Sequence, residues 1–182
     1  TVWRNEKPES FRYREFLQID ADIIGVKNIF SDYEICTLLA DTLNKCVSKI
    51  EIIIEVNNRE LINGLLEKVN IKGDKKKLIV LRAIDKLKRL NRSGVKDLLG
   101  LGREDVSGDF TIGAKLNQNQ IDEIMGFLDV KNLNELKNFS KDSNFQKGLN
   151  ELEEFFQIVQ LNQYSNQIKF SPQMVRGLEY YT

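Results

Sequence analysis

Residues 11–23 alternate, and that alternation restricts the fold more than anything else in the chain. Phe11, Tyr13, Leu17, Ile19, Ala21 and Ile23 fall on one face, with Glu15 the exception. Arg12, Arg14, Phe16, Gln18, Asp20 and Asp22 fall on the other. A period of two belongs to a half-buried strand, since a helix would repeat every 3.6 residues. The polar face has an unusual composition. Guanidinium forks match phosphate oxygens bidentately. A Phe ring between them offers a surface on which a base can stack, and Asp and Gln further along can hold an amine or a ring N–H. Pro8 biases Lys7 away from helix. Arg4-Asn5-Glu6-Lys7-Pro8 therefore reads as a strand end entering a loop, and the whole as an antiparallel strand–loop–strand. An ordinary amphipathic hairpin with a charged solvent face accounts for the same pattern.

Downstream, Ser31-Asp32 is a suitable N-cap. Ile35, Leu38, Leu39, Thr42, Leu43, Cys46 and Val47 follow at helical spacing, which predicts a helix over 32–49. Ile50–Val56 is a short apolar run and reads as a central strand. Asn57-Asn58 then caps a helix carrying Leu61, Ile62, Leu65 and Leu66. After Gly73, Leu78, Leu81, Ile84, Leu87 and Leu90 give a helix, and Val95–Gly102 a short one ended by glycine. Residues 103–117 read as a loop. Helices follow over 119–128, around Leu133 and Leu136, and from Phe145 to Val159, with strands at Ile168–Phe170 and Leu178–Tyr181. The fold class is α+β. Three segments result: a sheet-and-helix segment 1–71, a helical insertion 72–164, and a return to the sheet over 165–182. One continuous α+β domain is the alternative.

The formal net charge is zero, so only its distribution is informative. From Lys72 to Lys96 ten Lys or Arg face only Asp74 and Asp85. Such a stretch is a footprint for polyanions or a solvated face. From Asp122 to Glu154 eight acids outnumber four bases. Histidine is absent, which removes imidazole metal sites and His-based triads; no metal ligands are identified. Cys36 and Cys46 share a predicted helix, about 15 Å apart along its axis, too far to bridge. Two core thiols fit a reducing, cytoplasmic setting. No leader or membrane-spanning run is expected.

The motif Arg4-x-Glu6, a loop, then Arg12-Tyr13-Arg14-Glu15-Phe16-x-Gln18-x-x-x-Asp22 resembles motif 2 of class II aminoacyl-tRNA synthetases, in the form found in the histidyl-tRNA synthetase family. Val175-Arg176-Gly177-Leu178-Glu179-Tyr180-Tyr181-Thr182 resembles the histidine motif of the same family. The resemblance implies part of a class II antiparallel sheet with flanking helices, plus an inserted all-helical subdomain. It implies ATP-dependent activation of histidine to histidyl-adenylate and transfer to tRNA(His).

Residue by residue, Arg4 matches the arginine that holds the α-phosphate, Glu6 the acid that meets the adenine amino group, Arg12 a phosphate contact and Phe16 the ring that stacks on adenine. Gln18 and Asp22 match positions that hold histidine. Arg176 matches the arginine at the substrate carboxylate and α-phosphate, which with Arg4 forms the catalytic pair. Tyr181 matches a residue of the imidazole pocket. The motif 2 loop, Lys7 to Phe11, with Lys7 and Glu9 as its contacts, would approach the tRNA acceptor stem, as would the helical segment with Lys75, Lys76 and Lys77. The implied substrates and partners are ATP with its Mg2+, L-histidine and tRNA(His), in a homodimeric parent. Motifs 1 and 3 and the anticodon-binding domain are not in this sequence, so the segment alone is expected to be inactive. The alternative is an inactive synthetase-like paralogue, either the regulatory subunit of an ATP phosphoribosyltransferase or a sensor of uncharged tRNA.

Overall fold

In the computed structural model, residues 1–5, 12–47, 49–105 and 108–175 are described. Among these residues six α-helices carry the fold. They are α1 (Ile29–Cys46), α2 (Arg59–Lys68), α3 (Asp74–Asp85), α4 (Leu87–Leu99), α5 (Gln118–Leu128) and α6 (Ser143–Gln160). Three small sheets accompany them. β1 (Val2–Trp3) pairs antiparallel with β2 (Glu15–Phe16), and β4 (Gly102–Glu104) antiparallel with β5 (Phe110–Ile112). β3 (Ile54–Val56) pairs in parallel with β6 (Ile168–Phe170), Ile54 opposite Ile168.

Helix starts follow from side chains that satisfy the free N–H groups of a first turn. Asn28, Asn58, Asn117 and Asp142 each accept from the turn they precede, and Asn117 with Gln120 completes a reciprocal capping box. The first cap differs from expectation: Asn28, three residues before Ser31, begins α1. The helix keeps the expected length but is shifted three residues towards the N-terminus, ending at Cys46; its inward face is Tyr33, Cys36 and Ala40, leaving Leu38 and Leu39 nearly half exposed.

α6 organises the packing because it contributes to two cores. Its first half places Phe145, Leu149 and Leu152 in a core with Leu61, Leu65, Val80, Ile84, Leu99, Ile124 and Phe127. Its second half places Phe155 and Val159 against Tyr33, Ala40, Ile54 and Ile168, beneath the β3–β6 pair. Gly64 and Gly148 let α2 and α6 approach closely: a Cβ at Gly64 would lie 2.5 Å from that of Phe145, and one at Gly148 2.8 Å from the Leu61 nitrogen.

Three expectations are corrected. The alternating stretch 11–23 forms a strand only at Glu15–Phe16. Tyr13, Leu17, Ile19 and Ile24 are more than two-thirds exposed, because beyond β1 no strand among the described residues pairs with this segment. Residues 103–117 are not simply a loop, since they contain the β4–β5 hairpin. There Gly102, at φ +121°, brings the strands together where a Cβ would strike the Thr111 carbonyl. The central apolar run supplies only the three residues of β3. The proposed strand at Leu178–Tyr181 lies outside the described residues.

Candidate functional site

The β1–β2 hairpin joins two of the candidate residues. Its register sets Val2 opposite Phe16 and Trp3 opposite Glu15, and the Arg4 amide donates to the Arg14 carbonyl at 2.8 Å. Arg4 and Phe16 are diagonal neighbours on one sheet face, about 7–8 Å apart and within reach of long and aromatic side chains, and the Arg4 guanidinium lies 4.8 Å from the Phe16 ring centroid. A cation and an aromatic ring are thus presented together, the chemistry needed for a phosphate beside a base. A contact of this kind at an exposed site contributes about 0.5–1 kcal/mol, little enough for a ligand to displace it.

Further along, the Gln18 amide donates to both Asp20 carboxylate oxygens at 2.9 Å. Gln18 therefore meets an acid of its own segment. Asp22 is exposed. Arg12 does not join the Arg4–Phe16 pair. It lines a cavity of about 650 Å³ with Glu55, Asp85, Lys86, Lys88, Arg89 and Met174. Glu6, Lys7, Glu9, Arg176 and Tyr181 lie outside the described residues. Among the three lysines near the start of α3, Lys77 donates to Glu67 at 2.9 Å, whereas Lys75 is exposed and Lys76 half-buried.

The segment leading into residue 175 is fixed by a residue that sequence reasoning assigned to capping. Asn58 is the cap of α2, with its side-chain oxygen 2.8 Å from the Glu60 amide. Asn57 instead donates to the carbonyls of Pro172 and Met174, at 3.3 and 3.1 Å. It ties the end of β3 to the segment after β6, whose Ser171 amide in turn donates to the Val56 carbonyl. Val175 is buried in the larger core. The chain is thereby held immediately before Arg176.

The thiols also differ from expectation. Cys36 is half-buried, and desolvation, with Asp32 adding to it, raises its pKa to about 11. Cys46 is exposed rather than in the core. Among the described residues no group of three or more His, Cys, Asp or Glu is placed to hold a metal ion, and no helix is long and apolar enough to cross a membrane. Sequence reasoning did not place Lys86, Lys88 and Arg89 around the cavity that Arg12 lines. The only signal was the excess of bases over acids between Lys72 and Lys96.

Residues 1–182 match the family model described as histidyl-tRNA synthetase. Among curated relatives, the histidine–tRNA ligase of Pelagibacter ubique is 45% identical over 184 residues, covering 99% of this chain and 39% of its own length. That of Bartonella bacilliformis is 41% identical over 192 residues, covering 100% of this chain and 39% of its own length. The chain spans about two-fifths of the length of these relatives. Among solved structures, the histidyl-tRNA synthetase of Nostoc sp. PCC 7120 superposes with a TM-score of 0.66 at 19% identity, over 85% of this chain and 35% of its own. A Bacillus halodurans protein titled an ATP phosphoribosyltransferase regulatory subunit/histidyl-tRNA synthetase gives 0.62 at 18% identity, over 87% of this chain and 38% of its own. At that identity the two structures establish the fold, which is that of histidyl-tRNA synthetase.

Proposed function

The chain belongs to the histidyl-tRNA synthetase family, and from that premise we propose that it forms part of the site that activates histidine with ATP and passes it to tRNA(His). The observation that carries this reading is the pairing of Arg4 with Phe16 on adjoining strands, which presents one cation and one ring to the same space. In the proposed reaction the histidine carboxylate attacks the α-phosphorus and pyrophosphate leaves. Arg4 neutralises charge that builds on the phosphorus-bound oxygens. Phe16 moves from beneath the guanidinium to beneath adenine, whose amino group donates to Glu6. Arg12 contacts the phosphates. Gln18 and Asp22 orient the imidazole with Tyr181, and Arg176 bridges the amino-acid carboxylate and the α-phosphate. A metal ion carried by the nucleotide would supply further charge neutralisation, and among the described residues no group of three or more His, Cys, Asp or Glu would hold it. Transfer to the RNA acceptor end follows, with Lys7 and Glu9 of the loop Lys7–Phe11 and the lysines at 75–77 as proposed RNA contacts.

The test is ATP–pyrophosphate exchange by the full-length protein, with each amino acid supplied in turn. Histidine alone should support it. Arg4→Ala and Arg176→Ala should each reduce the rate by roughly 10²–10³-fold, the usual consequence of removing a group that stabilises developing charge. Binding of histidine without exchange would refute the proposal in favour of a non-catalytic paralogue. The complete run from Val175 to Thr182 argues against that outcome.

A further inference from the structure

The strand β6 ends at Phe170, six residues before Arg176. Ser171-Pro172-Gln173-Met174 follows it as a turn, closed by the Met174 amide, which donates to the Ser171 carbonyl at 3.1 Å. Pro172 stands second in the turn, where its fixed φ suits the geometry. A proline has no N–H, so at that residue only the carbonyl can be held. Asn57 holds it. The Asn57 side-chain nitrogen donates to the Pro172 and Met174 carbonyls, at 3.3 and 3.1 Å, and its oxygen accepts from the Asn58 amide at 2.9 Å. These partners fix which end of the group is nitrogen, because the two carbonyls need a donor and the Asn58 amide needs an acceptor. Serine and threonine bring one donor, and lysine brings no acceptor, so the task calls for a short side-chain amide. One residue earlier, the Val56 carbonyl accepts from the Ser171 amide at 3.0 Å. Two consecutive residues at the end of β3 therefore grip the turn at 171, 172 and 174. Ser171 and Pro172 are buried, and Val175 is buried in the larger core.

We infer that Asn57 is a positioning residue for the reaction: its amide clamps the turn 171–174 and so sets the point from which the chain delivers Arg176. The inference rests on the function proposed above, in which Arg176 bridges the amino-acid carboxylate and the α-phosphate. Successive Cα atoms are about 3.8 Å apart, so Arg176 starts from a backbone position already set at Val175. The hydrogen bonds of Asn57 run to backbone groups, and its effect on the chemistry is through the chain. Displacing a group at the reacting atoms by about 1 Å costs up to about 10²-fold in rate. Capping α2 is a separate task, and Asn58 performs it.

The test uses the full-length protein, with histidine-dependent pyrophosphate exchange and deuterium uptake measured side by side. Asn57→Ala should lower kcat by roughly 10–100-fold. In a protein already carrying Arg176→Ala, the same change should cost less than about threefold, because residues that act as one unit are not additive. Asn57→Asp keeps the acceptor for the Asn58 amide but turns an acceptor towards two carbonyls, so it should lose as much as Asn57→Ala. Asn58→Ala removes the cap instead and should keep kcat within about threefold of wild type while the protein is folded. Deuterium uptake at the Ser171 and Met174 amides should rise by at least about tenfold in Asn57→Ala, with the amides of α5 unchanged. Unchanged uptake at those two amides would overturn the inference. So would a full Asn57→Ala loss that persists without Arg176, or an equal loss of kcat in Asn58→Ala; each of these leaves the proposed function standing. If the wild-type protein shows no pyrophosphate exchange, the proposed function fails and the catalytic role of Asn57 fails with it, whatever the uptake shows.

Discussion

Gly64→Ala tests whether the approach of α2 to α6 sets the stability of the larger core. The new Cβ would lie 2.5 Å from the Cβ, 2.8 Å from the nitrogen and 2.9 Å from the Cα of Phe145. Carbon atoms rest about 3.5–4.0 Å apart, so the helices must separate by about 1 Å. Two of the three obstacles are backbone atoms and cannot rotate away. Phe145 is itself fully buried, with ring centroids 5.6 Å from Phe139 and 6.4 Å from Phe127, so a displacement spreads through the aromatic cluster. Replacing glycine with alanine in a helix gains about 1 kcal/mol of propensity, whereas overpacking costs about 1–3. With two of the obstacles in the backbone the cost should fall in the upper half of that range, about 2–3 kcal/mol, for a net loss of about 1–2 kcal/mol. With an m-value of about 2 kcal/mol per molar urea, the midpoint falls by about 0.5–1 M. Gly126→Ala on α5 is the matched control: its Cβ would meet nothing within 4 Å, so it should gain up to about 1 kcal/mol. Urea titrations followed by far-UV circular dichroism give both numbers. A Gly64→Ala protein at least as stable as wild type, alongside a stabilised Gly126→Ala, would refute the close-approach argument.

Asn58→Ala removes both the cap on the Glu60 amide and the 2.6 Å bond to Glu151 of α6, and should cost about 1–2 kcal/mol in the same titration. Asn58→Asp keeps the cap but sets a carboxylate against Glu151. Its deficit should therefore appear above the carboxylate range, near pH 4, and vanish below it. The thiols should separate by reactivity. With its pKa raised to about 11, Cys36 is about one part in a thousand thiolate at pH 8. An alkylating reagent at that pH should label exposed Cys46 first, with Cys36 following only as pH approaches 11 or the protein unfolds; equal early labelling would contradict the burial. Asp129→Ala breaks the bidentate pair with Arg92. Both side chains are about half exposed, so the loss should stay below about 1 kcal/mol and shrink further in high salt.

What the sequence disclosed and what it withheld divide along a physical line. The helix through Leu61, Ile62, Leu65 and Leu66 was legible because a 3.6-residue period and an adjacent cap are both local. The antiparallel pairing of β1 with β2 was legible for a related reason, since it joins segments close in the sequence; the contact of Arg4 with Phe16 is a detail that only the structure gives. The β4–β5 hairpin was not. Three-residue strands such as Gly102–Glu104 carry too few apolar side chains to show alternation, and their closeness rests on a glycine at positive φ, which no hydrophobic pattern reports. The long alternation of residues 11–23 misled in the opposite sense. Alternation states only that a segment is able to present two faces; whether Leu17 and Ile19 are covered depends on neighbouring strands, and among the described residues only β1 pairs with the segment. The cavity at the α3–α4 elbow follows the same logic. Its bases were visible as a local excess, but their convergence on Arg12, more than seventy residues away in the chain, follows from β3 pairing with β6 and from Asn57 fixing the segment beside it. A charge count locates where cations are concentrated; only the fold decides which of them line a common cavity, and here Lys86, Lys88 and Arg89 do so with Arg12.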